Sequence, residues 1–173
     1  MILGWSLGAG APPPKTVAQV DLDRYQGRWY EIARYPNRFQ KDCSGDVIAE
    51  YKRRTDGRID VENRCRTKAG GASSGKGVAR LATQDGSTAK LEVRFAPAFL
   101  SFIPAVWGDY WVLGLADDYS YAVVGSPDRR YLWFLTRTPT VPTEVFATLV
   151  DVARAQGFDP ARLVKTPQSG KAP

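Results

Sequence analysis

The sequence predicts an all-β protein, an eight-stranded up-and-down antiparallel barrel with a C-terminal α-helix packed on the outside. Three observations carry that prediction. Runs of alternating apolar and charged residues recur along the chain, the period-two signature of strands with one wet face. The last strands lose this alternation and are followed by an amphipathic helical segment. Short and long connections alternate, as they do when successive strands turn at opposite ends of a closed barrel.

The strands are expected at about 28–36, 46–54, 58–67, 77–84, 89–96, 109–117, 120–126 and 130–137. In the second, Val47, Ala49 and Tyr51 alternate with Ile48, Glu50, Lys52 and Arg54. In the third, Ile59, Val61, Asn63 and Cys65 share one face, and in the fifth Leu91, Val93 and Phe95 do so. Thr55-Asp56-Gly57 makes a tight hairpin between the second and third strands, and Asp85-Gly86-Ser87 a similar turn before Leu91. Tyr110–Leu115, Tyr121–Val124 and Tyr131–Leu135 are apolar on both faces, so something must cover their outer side. Pro142 opens the helix that does so: Val145, Phe146, Leu149, Val152 and Ala153 form its stripe, and Gly157 stops it. The longer connections, 37–45, 68–76 and 97–108, mark one end of the barrel as open.

Composition narrows the function. The 173 residues are 43% hydrophobic and 12% aromatic, which suits one domain with a sizeable core. The formal charge is +6, but its cations are interleaved with acidic residues, so a nucleic-acid partner is not expected. The chain has no histidine and only two cysteines. That removes imidazole-based nucleophilic catalysis and the common zinc sites, so no cofactor and no metal are expected. Residues 1–19 form an apolar, proline-rich segment whose first eleven residues resemble the end of a secretory signal, and residues 168–173 are expected to be a tail. Residues 20–167 then make up the barrel and helix.

Gly27-x-Trp29-Tyr30-Glu31 on the first strand, Asp118-Tyr119 after the sixth and Arg137 after the eighth resemble, in order, the three motifs of the lipocalins, a calycin family. Asp117 stands where the second motif usually has threonine. The phrases Trp29–Pro36, Pro127–Pro139 and Gly157-Phe158-Asp159 resemble the bacterial outer-membrane lipocalins related to apolipoprotein D. This resemblance implies a ligand-binding barrel in the cell envelope, periplasmic or at the outer membrane, although the acylated cysteine common in that group is not found here. It also implies that Gly27, Trp29 and Arg137 build the closed base, with the guanidinium lying across the indole.

With the base so placed, alternation turns Glu31, Tyr51, Val61, Asn63, Val93, Phe95, Tyr131, Trp133 and Leu135 inward as candidate ligand-binding residues. Trp107 joins them at the mouth. Residues 96–107 form an uncharged loop rich in Phe, Leu, Ile and Trp at the open end, suited to packing on the barrel, contacting a membrane or forming a homodimer. Cys43 and Cys65 are brought near one another by the Thr55-Asp56-Gly57 hairpin and read as a disulfide, the alternative being free thiols with one acting as a nucleophile. The function expected is reversible binding of a fatty acid or lysophospholipid for transport or storage. The rival readings are a barrel isomerase using Glu31 or a free Cys, and a dimeric interaction module without ligand.

Overall fold

Eight strands close into one antiparallel barrel in the computed structural model of the protein, which describes residues 11–82, 86–100 and 103–170. Residues 1–10 of the N-terminal run, residues 83–85 (the end of the strand expected at 77–84 and the start of the turn expected at Asp85), Ser101, Phe102 and residues 171–173 lie outside them. The first half of the wall is β1 (Gly27–Arg34), β2 (Cys43–Arg53), β3 (Ile59–Thr67) and β4 (Ala72–Leu81). The second half is β5 (Lys90–Arg94), β6 (Gly108–Leu115), β7 (Tyr121–Gly125) and β8 (Leu132–Thr136). Each strand pairs with the next, and β1 closes the ring by pairing with both β2 and β8. A short helix α1 (Leu22–Tyr25) underlies the base, and α2 (Thr143–Ala155) lies outside.

Two cores follow from the two-sided character of the late strands. Inside the barrel, Trp29, Tyr51, Val61, Leu91, Val112, Val124 and Leu135 pack with Leu22 and Tyr25 of α1. Outside it, Leu132 and Phe134 of β8, Val123 of β7 and Leu113 of β6 meet Leu149 and Ala153 of α2. The helix therefore covers the strands whose outer faces are apolar, and its burial is what allows them to be so.

The wall between β1 and β2 is completed by the C-terminus. These strands pair from Gly27–Tyr51 to Tyr30–Ile48 and then diverge. Strand β9 (Val164–Lys165) pairs with β1, and the residues after it bridge the gap. Thr166 donates its amide to Ile32 O at 2.9 Å, and Gln168 Nε2 donates to both Glu31 O and Val47 O. Asp46 donates its amide to Pro167 O, and Ser169 donates its own to the Asp46 carboxylate. At the other terminus Val17 donates its amide to Val112 O.

The connections differ from expectation at β4. This strand begins at Ala72 rather than near 77, so residues 68–71 form a tight turn where a long loop was expected; it ends at Leu81, and β5 begins at Lys90. Ser73, Ser74, Gly75 and Gly77 look like loop residues, yet they pair in register with Cys65, Arg64, Asn63 and Val61. Gly77 has a packing reason: a Cβ there would lie 2.9 Å from the Phe95 ring. No helix among the described residues is long and apolar enough to cross a membrane.

Candidate functional site

At the base, Gly27 adopts φ +90°, a left-handed conformation that glycine tolerates, as the chain turns from α1 into β1. Two residues on, Trp29 is fully buried and donates Nε1 to Tyr25 O at 2.8 Å. The Arg137 guanidinium lies 3.9 Å from the indole centroid and donates to Arg24 O, Gln26 O, Arg28 O and Tyr119 O. It therefore covers the indole and also satisfies carbonyls that the end of α1 leaves free. Burial lowers the pKa of this guanidinium below the ordinary arginine value.

Above the base, three phenols fill the barrel axis. Tyr110 Oη lies 2.8 Å from Tyr25 Oη and 2.9 Å from Tyr51 Oη, making it the hub of a buried hydroxyl chain. Burial pushes the Tyr51 phenol up to about 12 and shifts those of Tyr25 and Tyr110 upward as well. The cavity left among Leu22, Tyr25, Tyr51, Ile59, Ala79, Leu91, Val93 and Tyr110 is only about 10 Å³, the room of a single water. The lower half of the barrel is a packed floor.

The upper half is different. A β-bulge between Glu31 and Ala33 shifts the strand's alternation, so Ala33 and Tyr35 pack under α2 while Arg34 pairs across from Trp133. Arg34 forms an ion pair with Glu31 at 2.7 Å, with the carboxylate almost entirely buried. Glu31 also accepts from Gln40 Nε2 and Thr166 Oγ1. Gln40 Oε1 in turn accepts from Trp133 Nε1 at 3.0 Å and from Asn37 Nδ2 at 2.8 Å. One polar network thus ties β1, the β1–β2 connection, β8 and the C-terminal strand together beside the mouth.

Next to that network stands an aromatic ladder. Tyr131 stacks on Trp133 with ring centroids 5.7 Å apart and planes 12° apart, and Phe39 meets Tyr131 at 5.5 Å. On the opposite wall, Asn63 pairs between Ala49 and Gly75 on the inward-facing side of β3 yet is exposed. Phe95, lying over Gly77, is 49% exposed. The inner face is therefore open to water at this end and closed below by the tyrosine floor.

A family model described as a lipocalin-like domain matches residues 20–168. The chain belongs to the lipocalin family. It is 42% identical over 160 residues to temperature-induced lipocalin-1 of Arabidopsis thaliana, covering 92% of this chain and 85% of that one. It is 38% identical over 164 residues to the outer membrane lipoprotein Blc of Citrobacter freundii, covering 91% and 86%. The insecticyanin structure from the tobacco hornworm superposes with a TM-score of 0.71 at 22% identity, covering 91% of this chain and 86% of that chain. Lipocalins are in general binding and transport proteins for small hydrophobic ligands rather than enzymes.

Within this lipocalin barrel, the inward-facing residues divide between floor and mouth. Tyr51, Val61 and Leu135 are buried in the packed core and line no open cavity, a correction that reflects how the three tyrosines fill the axis. Val93 lies at the boundary, and Glu31, Asn63, Phe95, Tyr131 and Trp133 lie in the upper half. Trp107 is a second correction: it packs outside the barrel instead of at the mouth. Its ring lies 3.9 Å from the Arg80 guanidinium and 5.2 Å from that of Arg94, both on the outer face of the sheet. Gly108 pairs with Val93 and Tyr110 points inward, so alternation turns Trp107 out.

The Cys43–Cys65 disulfide is formed, with S–S 2.03 Å and Cα–Cα 5.7 Å, and joins the start of β2 to the wall near the open end. Both sulfurs are consumed, which leaves neither cysteine as a free thiol. The described residues hold no cluster of three or more acidic or Cys side chains placed for a metal. Arg34, Phe39, Gln40 and Thr166 escaped the sequence reading. Simple alternation would have turned Arg34 outward but for the bulge, and no local pattern announces Thr166, 135 residues from Glu31.

Proposed function

We propose that this lipocalin binds a single-chain amphiphile, a fatty acid or lysophospholipid, for transport or storage in the cell envelope. The observation that carries the reading is the open, aromatic upper half above a sealed floor. The tail would lie against Trp133, Tyr131, Val93 and Phe95, and the headgroup would stay at the mouth near Arg129 and Arg130. Each buried methylene contributes roughly 0.8 kcal/mol before ordering costs, so a chain that fills the upper half supports useful affinity without any covalent step. Glu31 is already committed to Arg34, Gln40 and Thr166, which supports a fatty carboxylate at the mouth rather than beside it.

The envelope setting is supported by the similarity to Blc, an outer membrane lipoprotein by name. Phe99, 74% exposed in the apolar β5–β6 connection at the open end, supports contact of that loop with a membrane or a second copy of the chain. An isomerase reading loses its free thiol to the disulfide.

Titration with the fluorescent fatty acid cis-parinaric acid tests the proposal. Saturable binding is expected, with Trp133 quenched, and Trp133→Ala should weaken binding more than it lowers the melting temperature. Absence of binding by any long-chain amphiphile, or a complex with the headgroup at the Trp29 end, would overturn it.

A further inference from the structure

The barrel wall pairs its surface arginines with acids. Arg28 and Arg64 both reach Glu50, Arg66 reaches Asp46, and Arg80 reaches Glu92, all between 2.6 and 2.9 Å. The rim departs from this pattern. An open cleft of about 430 Å³ between the β1–β2 connection, the β7–β8 connection and the turn at 160–162 is lined by Arg38, Arg129, Arg130 and Arg162, with Asn37 and Tyr131. Among the described residues Asp128 is its one lining carboxylate, and that group already accepts from Ser126 Oγ at 2.5 Å and from the Arg130 amide at 3.0 Å.

None of Arg38, Arg129 and Arg162 has a carboxylate partner among the described residues. Arg38 rests on the Phe39 ring at 5.2 Å and Arg162 on the Tyr35 ring at 4.3 Å. Arg129 donates to Gln156 O and Pro12 O. Arg130 comes no nearer than 3.8 Å to Asp128, with its side chain 73% exposed. Four arginines against one carboxylate give the cleft a net positive lining that favours an anion. Several planar guanidinium forks can share the oxygens of one phosphate, which offers more acceptors than a single carboxylate.

The geometry points to this rim cleft as a site for a phosphate group, carried by the headgroup of the bound amphiphile. Tyr131 joins the two sites, since it lines the cleft and also stacks on Trp133 of the upper barrel. Arg38 and Arg162 then act as specificity-determining residues that favour a phosphomonoester headgroup over a neutral one. The headgroup part of this inference rests on the proposed function; the anion site itself does not.

The experiment displaces cis-parinaric acid with 1-oleoyl lysophosphatidate or with monoolein, which carry the same acyl chain. Thermal melting in sodium phosphate, against sodium chloride at equal ionic strength, supplies the second arm. Lysophosphatidate should displace the probe at about tenfold lower concentration, the effect of one charge-assisted contact. That ratio should fall toward one in Arg38→Gln and in Arg38→Gln/Arg162→Gln. The single variant guards against lost packing of Arg162 on Tyr35.

If phosphate raises the melting temperature of the parent but not of Arg38→Gln while the two lipids displace equally, the cleft takes free phosphate and the headgroup assignment is overturned. If neither lysophosphatidate nor phosphate distinguishes the parent from the variants, the anion site itself is overturned. Failure of cis-parinaric acid to bind, with the phosphate effect intact, would defeat the calyx reading and leave the anion site standing.

Discussion

Replacing Tyr110 by phenylalanine tests whether the tyrosine floor is a connected chain with a hub. Tyr110 Oη is the only described partner of both Tyr25 Oη and Tyr51 Oη. Tyr110→Phe keeps the ring and its packing but strands two buried hydroxyls at once. Leaving a buried hydroxyl unsatisfied costs about 1–3 kcal/mol, so the substitution should cost about 2–4 kcal/mol once the removed group's own desolvation is credited back. Tyr51→Phe strands nothing of the same kind, because Tyr110 keeps Tyr25, and should cost about 1 kcal/mol. In a chain of this size the difference between the variants corresponds to several degrees of melting temperature. Urea denaturation of parent, Tyr51→Phe and Tyr110→Phe, with the disulfide intact and slopes compared, measures it. If Tyr110→Phe costs no more than Tyr51→Phe, the phenols find partners elsewhere and the floor is not a connected network.

The same phenols predict an alkaline limit. Their folded pKa values lie above the unfolded value near 10, so stability is fully present below pH 10 and falls above it, by up to about 1.4 kcal/mol per pH unit for each phenol. Melting curves from pH 8 to beyond 10 should show this fall, and it should be shallower in Tyr51→Phe. At the base, Trp29→Ala should cost about 3–5 kcal/mol through lost aromatic burial. Arg137→Ala should cost about 2 kcal/mol, because several carbonyls lose a charged donor. Denaturant titration that places both variants at the parent's midpoint would refute the base assignment. Removing the disulfide by Cys43→Ser/Cys65→Ser should cost about 3 kcal/mol for a cross-link spanning 22 residues, read as a lower urea midpoint. An unchanged midpoint would mean that the bridge adds nothing to the wall it joins.

Much of the architecture was determined by the sequence alone. Period-two alternation specifies a strand and its wet face wherever the ladder is unbroken, and eight expected strands with an outer helix leave few closures besides a barrel. The loss of alternation in β6, β7 and β8 located the face that α2 covers, and the hairpin at Thr55-Asp56-Gly57 brought Cys43 near Cys65. Gly27, Trp29 and Arg137 were legible as the base because their spacing matches a family motif. The tertiary structure decided the rest. One bulge between Glu31 and Ala33 reversed the strand's alternation and turned Arg34 to the inner side, and a bulge leaves no signature in a single sequence. Trp107 went outside because pairing fixed the register of β6, whereas a loop has no alternation from which to read a face. Whether an inward residue lines a cavity or fills it depends on the summed volume of side chains from every strand. Tyr25, Tyr51 and Tyr110 meet on the axis from 25 to 110 along the chain, and only the closed barrel shows that together they fill its lower half and leave its upper half open.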